Sequence, residues 1–294
     1  MSGNIYGFVP NLGANLAATI LFGIITAFQF IFGILTREFF FGSMWVITAG
    51  AEVCGYVCRT ISHFEPDTTS TEYKIQLVTL MIGPVFMAAG LYYQLGVLVT
   101  LYGRQYSLVT PRKYTIVFST LDVIALFMQG AGGGIAAGQN PSSVNVGRWV
   151  MVGGIIFQVI VLTVFIFVFS YVVYRIFYAT GEAHWSGEYA RNRKRPLFKY
   201  WLPSVFVSLI FLEIRSIYRV VELSEGWNGP LMVTESYFLV LDGLMIFLGM
   251  LPLTIVFPGL AYGRMSITNK NGGLIEKVDT FDDEAELNVF YELK

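Results

Sequence analysis

Apolar residues gather into seven stretches, near 14–35, 40–62, 75–102, 113–136, 149–177, 198–222 and 236–262. Each is close to the roughly 20 residues that cross a hydrocarbon core ~30 Å thick. The polar side chains within them keep helical phase. Glu52 and Arg59 in the second stretch, Asp122 and Gln129 in the fourth, and Glu235 and Asp242 at the seventh are each seven residues apart. In the sixth, Arg215, Arg219 and Glu222 stand at i, i+4 and i+7. At about 100° per residue these spacings return to one face of a helix, and Gly55 and Tyr56 fall on the same stripe as Glu52 and Arg59. An ionised group at the bilayer centre costs several kcal/mol, so such stripes should face the interior of a bundle and find partners there. Gln94 and Gln158 are placed to extend that interior, whereas Glu213 lies on the opposite side of its helix from Glu222.

Composition agrees with a membrane solvent. Charged residues make up 13% of the 294, apolar residues 55%, and mean hydropathy is +0.61, against about a quarter charged in a soluble domain. The expected fold is therefore an all-α integral membrane protein, a seven-transmembrane helix bundle. One set of loops, with the tail, holds Arg37, Arg104, Arg112, Lys113, Arg175, Arg191, Arg193, Lys194, Arg195, Lys199, Arg264 and Lys270, while the other holds only Lys74 and Arg148. The positive-inside rule then puts the N-terminus outside and the C-terminus in the cytoplasm. Residues 1–13 are expected to be an extracellular N-terminus without a cleaved leader, 14–263 the seven-helix membrane domain, and 264–294 a disordered acidic cytoplasmic tail. Trp45, Trp149, Trp185, Trp201 and Trp227 fall near predicted span ends and are expected to anchor at the interface. Cys54 and Cys58, four apart on one helix, are expected to be free thiols. A net charge of −1 gives no case for nucleic acid.

The candidate chemistry sits in the stripes. The interior carries more carboxylates than arginines, and a surplus buried acid must bind a cation, take up a proton or meet water. Glu52, Tyr56, Asp122, Gln129, Asp242 and Gln94 are therefore the candidate substrate-binding groups. Arg59, Arg215, Arg219, Glu222 and Glu235 are the candidate charge network that holds them. The spacing predicts a polar cavity that opens outward and reaches the midplane. Gly130, Gly132, Gly133 and Gly134 suggest close packing at the end of the fourth span, and Pro84 and Pro252 are candidate kinks in the third and seventh. There is no G-x-x-x-x-G-K-[ST], no intramembrane histidine cluster, no lysine inside a span and no G-x-S-x-G. No cofactor or metal is implied, and an enzyme is not expected.

At these polar positions the chain resembles a known family. The run from Glu52 to Arg59, the run from Gly83 to Leu95, and Asp122 followed by Gln129 to Gly134 resemble the fungal lipid-translocating exporter family, seven-span proteins linked to 7-aminocholesterol resistance. Arg215 to Glu222, Gly226 to Gly229 and Glu235 to Asp242 are similar to it as well. The resemblance spans nearly everything from Tyr6 to Gly263. It implies a multi-pass plasma-membrane protein whose substrate is an amphipathic membrane lipid, above all a sphingoid long-chain base moved toward the outer leaflet. Topology alone also suits a seven-span lipid receptor or sensor, because fold does not fix function.

Overall fold

The computed structural model describes residues 10–64, 71–103, 106–107, 109–136, 138, 140–179, 195–226 and 229–263. The acidic tail, the 180–194 loop with Arg191, Arg193 and Lys194, Trp185 and Trp227 lie outside them. The described chain is helical: α1 Leu12–Thr36, α2 Phe39–Phe64, α3 Thr71–Tyr102, α4 Pro111–Ala136, α5 Pro141–Ala179, α6 Phe198–Glu225 and a segmented α7, Glu235–Tyr262. Local chemistry explains the ends. The Asn11 side chain accepts the Ala14 N–H at 3.0 Å and caps α1. Prolines at the first position open α4 and α5. Gly103 and Gly226, with φ of 104° and 86°, end α3 and α6 where a side chain would be strained.

Among the described residues six helices, α1 to α5 and α7, are long and apolar enough to cross a membrane. α6, with 28 residues, is as long but is not among them, and its second half carries Glu213, Arg215, Arg219 and Glu222. Large apolar side chains point outward around the bundle, as at Phe127, 75% exposed, and Phe167, 71% exposed. Such a surface suits lipid rather than water. α7 is not a uniform helix. It runs from one α-helical turn, Glu235–Phe238, into a π-helical turn, Leu239–Leu244, and resumes at Met245–Ile255 before a last short piece, Pro258–Tyr262.

α3 is the axis of the bundle, packing against α2, α4, α5 and α6. From Gly83 to Leu101 nearly every residue is buried, so the helix is apolar on all sides, as a central rod must be. Small residues let its neighbours close in. A Cβ on Gly90 would stand 2.6 Å from the Trp45 ring, so the glycine is the seat of that indole. Trp45 and Trp201 are fully buried and correct the expectation of interfacial anchoring; each fills space between helices that no smaller ring would fill. Trp149, by contrast, is 58% exposed.

α4 and α5 meet backbone to backbone. A Cβ on Gly132 would lie 2.6 Å from the Met151 amide nitrogen, and one on Gly147 would lie 2.3 Å from that of Ala136. Of the glycine run, then, Gly132 makes the close approach, while Gly130 and Gly134 face open space. Gly147→Ala or Gly132→Ala should lower stability by about 1–3 kcal/mol, the usual cost of overpacking, and Gly130→Ala should not. Thermal melts of the purified protein in detergent check this, and equal melting of all three variants would contradict the packing.

Candidate functional site

The stripes predicted on α2, α6 and α7 converge near one end of the bundle. Asp242 is at the centre. Arg219 grips it with two parallel bonds, Nε to Oδ1 at 2.7 Å and Nη2 to Oδ2 at 2.9 Å, and Arg215 Nε lies 2.8 Å from the same Oδ1. A fork meeting both carboxylate oxygens is the strongest geometry for such a pair. Arg219 Nη1 also donates to Glu222 Oε2 at 2.9 Å, and the Tyr218 hydroxyl donates to the other oxygen of Glu222 at 2.9 Å. Arg59 Nη2 stands 3.2 Å from Glu235 Oε1. Glu235 further accepts the Asn11 backbone N–H, at 3.0 and 2.8 Å, and the Asn15 side-chain amide at 3.0 Å, which ties α1, α2 and α7 at one point. The Phe238 ring lies under both Arg59, at 4.3 Å, and Arg219, at 5.2 Å.

The backbone contributes in two places. Pro84 has no N–H, so the carbonyl four residues back, at Leu80, loses its helical donor. Arg215 Nη2 donates to that carbonyl at 2.8 Å. The π-helical turn of α7 holds Asp242 and Gly243 together, an irregularity often found at functional sites.

Glu52 stands apart within this cluster. Its side chain is fully buried, and neither carboxylate oxygen has a hydrogen-bond partner among the described residues. Asp242, Arg215 and Arg219 are the charges that act on it. Room for it comes from Gly83, whose Cβ would stand 3.2 Å from Glu52 Oε1. One turn on, the Tyr56 hydroxyl is also buried without a hydrogen-bond partner among the described residues and presses on Gly243, where a Cβ would collide with it. The Glu52–Tyr56 face of α2 and the π-helical turn of α7 therefore form a seam that only glycine permits.

The other candidate residues are distributed. Gln129 donates to Gln158 at 2.9 Å, and both border a void of about 20 Å³ shared with Arg215 and Arg219, so they belong to the cluster's edge. Asp122 makes a separate site, accepting the Tyr92 hydroxyl at 2.8 Å through one oxygen, while the other has no hydrogen-bond partner among the described residues. Gln94 is separate too, accepting Trp201 Nε1 at 3.0 Å and the Tyr262 hydroxyl at 3.3 Å. Glu213, on the side of its helix away from Glu222, faces α5 and accepts the Thr163 hydroxyl.

The expected outward-open polar cavity is not what the structure holds. Guanidinium groups fill the space between α2, α6 and α7, and their paired bonds draw the helices shut, leaving room for about one water. A large cavity, about 850 Å³, lies at the opposite end, between α3, α5 and α6. Tyr218, Phe238, Asn11, Asn15 and the Leu80 carbonyl are partners of the cluster that the spacing did not announce. Of these, Leu80 alone had a signal, the proline four residues after it.

Asp242 balances two arginines, so Asp242→Ala should be far more damaging than the loss of one rim contact. We expect about 3–5 kcal/mol of destabilisation, partly recovered in Asp242→Leu combined with Arg219→Met. Melting of the single and double variants measures both.

The comparisons place this arrangement in a family. The model of the RTA1-like proteins matches residues 45–265, which contain the ion cluster except for the α1 contacts on Glu235. The chain is 29% identical to the sphingoid long-chain base transporter RSB1 of Saccharomyces cerevisiae, over 89% of this chain and 75% of that protein. It is 29% identical to the protoporphyrin uptake protein 1 of the same yeast, over 67% of this chain and 62% of that one. Protein RTM1, also from Saccharomyces cerevisiae, is 30% identical over 67% of this chain and 60% of its own length. No solved structure matches the chain. With three quarters of its length inside one family model and its charge cluster within that span, the chain belongs to the RTA1-like family.

Proposed function

We propose that this protein is a plasma-membrane exporter of amphipathic lipids, with sphingoid long-chain bases as its principal substrate. The carrying observation is Glu52, a fully buried carboxyl without a hydrogen bond, set in a cluster of four acids (Glu52, Glu222, Glu235, Asp242) and three arginines (Arg59, Arg215, Arg219). The group left over is an acid, and a buried acid calls for a cation. A sphingoid base brings a single ammonium on a long apolar chain. The similarity to RSB1, named for that substrate, supports the same choice.

In this reading α6 is the seventh crossing, its charges shielded by α3, α5 and α7, and the basic loops put the N-terminus outside. The ammonium binds at Glu52 when α2 and the π-helical turn of α7 part along the Tyr56–Gly243 seam. Asp242 stays locked by Arg215 and Arg219 and keeps those cations from competing for Glu52. The acyl chain remains between helices or in the bilayer. Asp122, with one oxygen on Tyr92, is a second acid for the same headgroup further along. Gln129 borders the cluster and contacts the polar part of the base, while Gln94 lies away from it.

Reconstitution of the purified protein in liposomes tests this. Transbilayer movement of a labelled sphingoid base should exceed protein-free controls. Glu52→Gln should reduce it about tenfold or more, equivalent to ~1.4 kcal/mol of lost interaction, with melting nearly unchanged because Glu52 has no hydrogen bond to lose. Asp122→Asn should reduce it as well. Wild-type rates in both variants would remove the mechanism, and binding of the base without movement would assign a sensor instead.

A further inference from the structure

The 850 Å³ cavity plays no part in the proposed transport site, and its chemistry has the opposite sign. We propose that it is a binding site for an anionic phospholipid, which lays an acyl chain between α3, α5 and α6 and sets its phosphate at Arg195 and Lys199.

Its size falls in the range of about 300–1,000 Å³ that ligand pockets occupy. Its walls are apolar and aromatic, with Phe169, Val173 and Phe177 from α5 facing Phe206 from α6. Two basic side chains, Arg195 and Lys199, border it, and its described lining contains no acid. Among the described lining residues a sphingoid ammonium therefore meets no carboxylate, whereas a phosphate meets two basic side chains. Lys199 is exposed at the mouth, with its Nζ 4.7 Å from the Tyr200 ring centre. The Arg195 guanidinium lies beside Gly263 at the end of α7, where a Cβ would be 3.0 Å from its Nη2.

Depth supports the same occupant. Along α6, Lys199 at the mouth and Arg219 in the ion cluster are twenty residues apart, about 30 Å of helix. That is the full hydrocarbon thickness. The two basic groups thus sit at headgroup level, and the apolar walls run from there toward the membrane centre. The basic-residue bias gives this end to the cytoplasmic leaflet, where anionic lipids reside, and basic pockets between helices on that side suit their headgroups. The site stands whether or not the transport reading holds.

Trp201 lines the cavity and supplies the probe. The full chain is placed in phosphatidylcholine bilayers containing equal mole fractions of either brominated-chain phosphatidylserine or brominated-chain phosphatidylcholine, and tryptophan quenching is compared. We expect about a tenfold preference for the anionic lipid in the signal that Trp201→Phe removes, consistent with two basic contacts. The preference should vanish in Arg195→Gln/Lys199→Gln, and Val173→Phe should weaken quenching by either lipid. Native mass spectrometry of the delipidated wild type and the double variant, titrated with the same lipids, repeats the comparison without a tryptophan change. Equal quenching by both lipids, or an anionic preference that survives the double variant, overturns the proposal. So does absence of quenching by any lipid, which would mean that protein fills the cavity. Displacement of phosphatidylserine by brominated sphingosine would give the cavity to the cationic base and overturn it too.

Discussion

The cost of an ion in a medium of low dielectric organises this molecule. A charge removed from water is retained only if an opposite charge and enough hydrogen bonds meet it. Every arginine that α2 and α6 bury must therefore be answered, and the answers come from other helices. Arg219 is answered by Asp242 on α7, Arg59 by Glu235 at the start of α7, and Arg215 by Asp242 and the α3 backbone. These contacts set which helices touch and at what height. The apolar packing around α3 fills the space that they define.

Irregular backbone serves this requirement rather than merely accompanying it. Pro84 costs α3 a hydrogen bond, and Arg215 uses the carbonyl so released. The π-helical turn groups Asp242 and Gly243 on α7. Glycines at 83 and 243 then admit Glu52 and the Tyr56 hydroxyl, which side chains there would displace. A proline within a helix, a π-helical turn and two missing side chains thus surround one unpaired carboxyl, while the acids around it are paired.

Much of this was legible in the sequence, because membrane helices obey two strong periodicities: total length against bilayer thickness, and polar phase within each helix. The seven stretches match the seven rods to within a few residues, except that α5 starts eight residues earlier, at Pro141, where the polar Pro141–Val144 segment carries no apolar signal. The heptad-spaced pairs did share faces, and Glu213 did point away. What the sequence concealed was distance between helices. Nothing in the spacing of Asp122 says that its partner is Tyr92 rather than Arg215, and nothing in Gln94 announces Trp201. The expected open cavity failed for the same reason: phase gives the direction of a side chain, and only the neighbouring helices decide whether the space it points into remains empty. Trp45 and Trp201 were misread as interfacial because position along a helix was taken for depth in the membrane, although Gly90 had made a seat for one of them inside the bundle.

The two ends of α6 carry opposite electrostatic problems, and this limits how the helix can move. At its C-terminal half, Arg215, Arg219 and Glu222 are locked to α3 and α7, so a displacement there would expose at least one unpaired ion to hydrocarbon. At its N-terminal end, Pro203 lies within the helix and lines the neighbouring cavity, whose described lining is mostly apolar. Rotation of α6 is therefore resisted where the charges are and permitted where the cavity is. In the proposed transport, opening at the Tyr56–Gly243 seam falls to α7, whose four segments give it hinges that the continuous α6 lacks.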